Sequence, residues 1–319
     1  MKPWLWQPIG GSHGMHFKTP CVRDLAWAIG SPPLQQRSGL AVHWPNADWC
    51  AQQLALANDW LNELDANPQV LINHLAASND RRLGRRFEDL LAFWLSWPDN
   101  PNYSLLLRNH ALRNAERTLG EIDFLVRNKQ TNAIEHWEVA VKFYLGTPQG
   151  LWLGPGQRDR LDLKLLRLDQ HQLKLTQLVA GQDWLAQLDL PQPIDIKPVC
   201  LVKGRLFYPQ HFDLAPPPSA SPTHLRATWF THDEFLAQAN HHQLRWQLLD
   251  KTYWLAQLHH DTAKLLYEHT LSADELVSCL SAEDPRYAIA IIGLTPANEA
   301  IRAFLAPNTW PSGQSQVLS

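Results

Sequence analysis

The chain has 319 residues, 45% of them hydrophobic, enough to bury a sizeable core and too many for a disordered polymer. A net charge of −3 argues against a wholly basic nucleic-acid binder, yet residues 81–175 hold 15 Lys and Arg against 11 Asp and Glu, leaving 13 against 20 elsewhere. Four scattered cysteines without a CxxC pair argue against a zinc knuckle and give no hint of a disulfide framework, and no apolar run approaches the roughly 20 residues of a membrane span.

The opening MKPWLWQPIGGSHGM lacks the apolar run of a signal peptide, so a soluble, cytoplasmic protein with no membrane partner is expected. Residues 1–80 read as irregular structure followed by helix. Val22, Leu25, Ala26 and Ile29 have helical spacing before a Gly-Ser-Pro-Pro stop, and a second helix covers Asp48 to Leu64. Leu83, Phe87, Leu90, Leu91 and Trp94 mark an amphipathic helix from Arg82 to Trp97. Three strands follow, over Tyr103–Leu112, Gly120–Arg127 and Glu135–Leu145. The Gly/Pro loop GTPQGLWLGPGQ then leads into a charged helix near Asp159 to Leu175, with another helix over Asp183 to Leu188. IKPVCLVKGRLFYP, from Ile196 to Pro209, reads as a strand with a turn at Lys203-Gly204. LAPPPSASPT, from Leu214 to Thr223, reads as a mobile loop or linker. Beyond it come the short strand HLRATWF, helical stretches between Asp233 and Leu258, the strand YAIAIIGL and a last helix near Asn298 to Leu305. The fifteen tryptophans are scattered and read as core and interface bulk.

Alternation of faces puts Trp137, Val139, Val141 and Phe143 on one side of the third strand, and His136, Glu138, Ala140, Lys142 and Tyr144 on the other. In the second strand Ile122, Phe124 and Val126 oppose Glu121, Asp123 and Leu125. If Asn128 pairs with Ala133, Asp123 falls opposite Glu138 and Glu121 opposite Ala140. Three carboxylates and Lys142 then share one face, and carboxylates so placed need a cation, for which oxygen donors of this kind suit Mg²⁺ or Mn²⁺. The plainer reading is a solvated charged face.

The order helix, three strands, helix, strand resembles the PD-(D/E)XK nuclease superfamily, with GEID similar to its aspartate strand and EVAVK to a variant of its (D/E)-X-K strand. The stretches VRDLAWAIGSPPL, RLGRRFEDLL, GEIDFLV, WEVAVKFYL, GPGQRDRLDLKL and VKGRLFYP make the whole chain similar to the bacterial family called domain of unknown function 1853. The resemblance implies an α/β (α+β) fold with a restriction-endonuclease-like core over residues 81–209. A helical N-terminal extension over 1–80 and a mixed C-terminal extension over 210–319 would flank it. It implies a metal-dependent nuclease, with DNA as the nucleic-acid partner. Asp123 would be a ligand of Mg²⁺ or Mn²⁺ and Lys142 would orient the attacking water. The second acidic position of the motif holds Ala140 here. Glu138, roughly 13 Å along the strand from Lys142, becomes the replacement ligand, with Glu121 contributing and Glu88 assisting from the first helix. Gln157, Arg158 and Arg160, in a loop that enters a helix N-terminus, are candidates for the nucleic-acid backbone.

The rival reading is a catalytically inactive module of the same fold that binds nucleic acid or a protein, which Ala140 favours and Asp123 with Lys142 oppose. Zinc chemistry is not expected of the pairs His241-His242 and His259-His260, because helical neighbours do not face one another and no HExxH occurs. No GxSxG, P-loop or GxGxxG pattern is present.

Overall fold

A computed structural model describes residues 16–37, 42–190, 196–239, 244–280, 284 and 286–311. The expectations for the first fifteen residues and for His241-His242 lie outside the described residues. In chain order the helices are α1 (Pro20–Gly30), α2 (Ala47–Ala66), α3 (Gln69–Ala76), α4 (Leu83–Leu95), α5 (Leu161–Gln170), α6 (Val179–Ala186), α7 (His232–Ala239), α8 (His260–Tyr267) and α9 (Ala273–Leu280). The strands are β1 (Tyr103–Arg113), β2 (Thr118–Asn128), β3 (Ile134–Gly146), β4 (Trp152–Leu153), β5 (Ile196–Pro209), β6 (Leu225–Thr231), β7 (Arg245–Leu248), β8 (Ile289–Leu294) and β9 (Glu299–Ala306).

The strands form one mixed sheet in the order β1-β2-β3-β5-β6-β9-β8-β7, with β4 paired to the end of β3. The first three strands are antiparallel, β3-β5-β6-β9 are parallel, and β9-β8-β7 are antiparallel again. Parallel neighbours need a crossover, and α5 and α6 lie within the one between β3 and β5. The period-2 pattern assigns the faces. Trp137, Val139, Val141 and Phe143 enter the main core with Val22, Leu25, Phe87 and Leu91, and Trp229, Ile292 and Phe304 extend that core across the sheet. Tyr144 and Ala140 look the other way, onto Leu161, Leu165 and Leu168 of α5 and Cys200 and Val202 of β5. Farther along, Phe230, Ile291 and Leu305 meet Phe235 of α7 and Leu276 of α9. With both faces covered, the second face of β3 is interior at His136 and Glu138, which are buried rather than solvated, while Lys142 stays partly exposed.

Trp27, Trp94, Trp137, Trp229, Trp246 and Trp310 are buried, and Trp49, Trp94, Tyr103 and Trp137 pack as one aromatic group. Asp24 of α1 joins Arg86 of α4 at 2.9 Å and also accepts from the Ala256 N–H, tying the C-terminal part to the first helix. No helix among the described residues is long and apolar enough to cross a membrane.

Several expectations need correction. Residues 299–306 are strand, not helix, because β9 sits between β6 and β8 and inter-strand bonds on both sides override the helix-forming composition of EAIRAFLA. The helix expected to Leu175 stops at Gln170, where His171 turns out of helical geometry (φ −132°, ψ −66°) and a 3-10 turn over Gln172–Gln177 takes over. Helix α3 was not anticipated. β5 has no turn at Lys203-Gly204. It runs straight through, and Gly204 (φ +135°) marks a close approach to β3. LAPPPSASPT is no free linker, since the Ser221 N–H donates to Leu34 O at 3.0 Å and the Gln36 N–H to Ser219 O at 3.0 Å. Cys21, Cys50 and Cys200 are buried, and Cys279 is exposed.

Candidate metal and phosphate site

The antiparallel ladder between β2 and β3 runs from Arg127↔Ile134 to Phe124↔Trp137, in the register set by the Asn128 N–H donating to Ala133 O at 2.9 Å. The next rung is made by a side chain. The Val139 N–H donates to Oδ2 of Asp123 at 2.9 Å, where a strand carbonyl would otherwise accept. From there the two strands part, and β2 pairs only with β1 as far as Thr118. Glu121 is therefore not set opposite Ala140, because the ladder has ended. Asn109 of β1 helps shape this corner. Its φ of +52° suits an Asn better than a branched residue, and its Nδ2 donates to Glu121 Oε1 at 2.8 Å and Glu88 Oε2 at 3.4 Å.

Glu88, Glu121 and Asp123 thus line a single pocket, together with Arg82, Arg85, Asn109 and Gln172. Its volume of about 500 Å³ accommodates a hydrated cation and a phosphate group. Three carboxylates and an amide carbonyl are hard oxygen donors, a set that fits Mg²⁺ or Mn²⁺ and not a thiophilic metal. Glu138 lies behind them. It is 1% exposed, with Oε1 2.9 Å from His136 Nε2 and Oε2 accepting from Gln172 Nε2 at 2.8 Å. Gln172 in turn accepts from Lys164 Nζ at 2.9 Å. The 3-10 turn that ends α5 places Gln172 over Glu138.

Burial raises both β-strand carboxyls. Asp123 is pushed up to about 8, first by loss of water and then by the charge of Glu138, while the Val139 N–H works against the shift. Glu138 is also pushed up to about 8 by burial, opposed by Lys164. Glu88 is raised for the same first reason, and buried His136 is pushed down to about 4, so its imidazole is neutral near pH 7. A carboxyl whose pKa is higher folded than unfolded holds its proton in the native state over that interval. The stabilisation it contributes is full below the unfolded pKa near 4 and is lost as pH rises through about 8. The melting temperature of the metal-free protein is therefore expected to fall between pH 5 and 8, and Mg²⁺ to restore it most at the upper end while releasing protons. Melting curves across this range with and without Mg²⁺ check it. A curve that is flat or rising, and unchanged by Asp123→Asn with Glu138→Gln, would contradict it.

Lys142 is not in the acidic pocket. Its Nζ donates to Asp159 Oδ2 at 2.6 Å, and Tyr144 donates to the other oxygen at 3.3 Å. Lys164, half-buried on α5, acts on the strand carboxyls: its own pKa is lowered by burial and by Lys142 and raised by Glu138 and Asp123. Sequence reasoning passed over Lys164 and Gln172. Lys164 left a signal, since it falls on the stripe of Leu161, Leu165 and Leu168 that packs against the sheet. Gln172 left none. Of the loop candidates, Gln157 (φ +63°) donates to Arg286 O at 2.9 Å, and Arg160 is held by Asp162 at 2.6 Å. Arg158 faces a larger neighbouring cleft that also contains Lys142 and shares Arg82 with the acidic pocket.

The histidine expectation needs one correction. The His259 and His260 rings lie 3.9 Å apart, because His259 is the extended N-cap of α8 and not a helical residue. With Asp261 they place three ligand atoms within 4.8 Å of one another. His259 Nδ1, however, accepts from the Asp261 N–H, and the positive end of α8 opposes a cation there.

A family model described as Domain of unknown function (DUF1853) matches residues 23–304. No curated protein and no solved structure matches the chain.

Proposed function

The chain belongs to the domain of unknown function 1853 family, and from its site geometry we propose that it is a metal-dependent nuclease with a restriction-endonuclease-like core, cutting phosphodiester bonds in DNA. One observation carries the reading. Two carboxyls held well above their usual range, Asp123 and Glu138, sit where β2 and β3 part, beside a pocket that adds Glu88 and Glu121 and beside the half-buried ammonium of Lys164. Like charges buried together are unfavourable on their own, and a divalent cation relieves them.

Asp123, Glu88 and Glu121 would hold the cation, and Glu138 would join them if Gln172 swings aside. A bound Mg²⁺ or Mn²⁺ supplies an acidified water and neutralises charge on the scissile phosphate. Lys164 offsets the negative charge of the ionised pair and stabilises charge that builds on the phosphate. Lys142, once it exchanges Asp159 for a phosphate oxygen, orients the substrate from the adjoining cleft.

A second reading has support in Ala140, which packs on the apolar cluster under α5 in the place of an acid. It also has support in Gln172, which seals Glu138. That reading is a non-catalytic module that binds nucleic acid or a protein partner.

The test is cleavage of single-stranded, duplex and branched DNA in Mg²⁺ and in Mn²⁺ by the parent, Lys164→Met and Lys142→Met. Lys164→Met is expected to slow cleavage by about a hundredfold or more, and Lys142→Met by about tenfold, at unchanged melting temperature. No cleavage of any substrate by the parent would sink the enzymatic reading in favour of the binding module.

A further inference from the structure

The cleft beside the acidic pocket has two sides of different origin. One is β3 at Lys142 with the glycine loop that carries Arg158, and the other is built from Lys251, Trp254 and Tyr287 in the C-terminal part. The second side is fixed in place, with the Ala288 N–H donating to Pro155 O at 3.0 Å and the Leu249 N–H to Ala290 O at 2.8 Å.

Two features of this cleft have no internal use. Arg81, Arg158 and Lys251 line it without an ion pair among the described residues, outnumbering the carboxylates there, Asp159, which pairs with Lys142, and Asp250, which feels the charge of Lys251. Tyr287 is 38% exposed and has no aromatic partner among the described residues. Its ring edge rests against Gly156, where a Cβ would come within 2.8 Å of Cε1. Trp254, by contrast, is committed to Phe143 and Phe304 and acts as a floor.

Unpaired cations along a groove with one free aromatic face suit a single strand, whose phosphates seek the cations and whose bases seek the ring. A duplex offers phosphates but keeps its base faces stacked, so the ring would gain nothing from it. We propose that this cleft holds single-stranded nucleic acid next to the acidic pocket, with a base stacked on Tyr287 and phosphates on Arg158 and Lys251. The placement of the scissile phosphate rests on the nuclease reading above, whereas binding in the cleft needs no metal. The C-terminal part is thereby assigned to substrate recognition.

Fluorescence anisotropy of the full chain in a chelator, with labelled single-stranded DNA, single-stranded RNA of the same sequence and duplex DNA, tests this without cleavage. A single strand is expected to bind more tightly than the duplex. Tyr287→Ala is expected to weaken single-strand binding by about tenfold, with Tyr287→Phe close to the parent and duplex binding unmoved. Lys251→Gln is expected to weaken it too and to flatten the log K against log salt slope by about 0.7. Single-strand affinity within about twofold of the parent in Tyr287→Ala, or a parent that prefers duplex, would overturn the proposal. If the Tyr287 effect appears but no cleavage occurs in Mg²⁺, the nuclease reading alone fails. If cleavage occurs and the Tyr287 effect is missing, this proposal alone fails.

Discussion

Asp123→Asn is expected to reduce metal-dependent cleavage by about a thousandfold or more while leaving the fold intact. The side chain is the pivot of the site in two senses. Its Oδ2 accepts the Val139 N–H at the point where the ladder ends, and it faces Glu88 and Glu121 across the pocket. An asparagine preserves size and can still accept that N–H through Oδ1, so the parting of β2 and β3 survives. What goes is the charge that would hold a divalent cation. The same change removes a carboxyl that burial and the charge of Glu138 hold above its usual range. Asp123→Asn should therefore melt higher than the parent at pH 8 in the absence of metal, even as it loses activity. Cleavage rates in Mg²⁺ and Mn²⁺ alongside melting curves check both halves. Activity above about a tenth of the parent would remove Asp123 from the metal site.

Gly204→Ala is expected to destabilise the protein by about 3 kcal/mol or more. Gly204 lies directly beside Lys142 in the parallel pairing of β5 with β3, at φ +135°. An added Cβ would fall 1.7 Å from the Lys142 carbonyl oxygen. No rotamer relieves a backbone clash, so either β5 must move off β3 or the pairing must break locally. Both strands are covered on two faces, and neither has solvent to move into. Urea unfolding measures the loss, and a change below about 1 kcal/mol would mean that the strands yield easily there. Because the clash falls at Lys142, residual folded protein should also show a weakened Lys142–Asp159 pair.

Much of the first half was legible from residue alternation. Trp137, Val139, Val141 and Phe143 announced a core face, and Asn128 with Ala133 announced the register, because side-chain direction follows from strand geometry alone. The failures have separate physical sources. EAIRAFLA is made of helix formers, and only its neighbours β6 and β8, distant in the sequence, make it a strand. Gly204 carries the mark of a turn, yet the same freedom of φ serves a close passage between strands. The pairing of Lys142 with Asp159 depends on how a loop folds back, which no spacing encodes. The break of α5 at His171 decides where Gln172 sits, and the local sequence DQHQL holds no Pro or Gly to announce it. Lys164 is the instructive case. A lysine on a leucine stripe was readable as a half-buried charge, and what it faces points to Asp123 and Glu138.

The position of β9 bears on how the molecule is made. It follows β6, β7 and β8 in the chain but lies between β6 and β8 in the sheet. As a ribosome releases the chain, β6 must wait with one edge bare, and the antiparallel β7–β8 pair has nothing to join, until β9 emerges and slots in. Long-range closures of this kind are slow, and they leave strand edges exposed meanwhile. The wall carrying Lys251 and Tyr287 flanks that strand pair, so the proposed recognition surface takes shape only once β9 has emerged. The acidic pocket, built from residues 82–172, can form earlier. On the proposed reading, a nascent chain would acquire its means of cutting before its means of choosing what to cut.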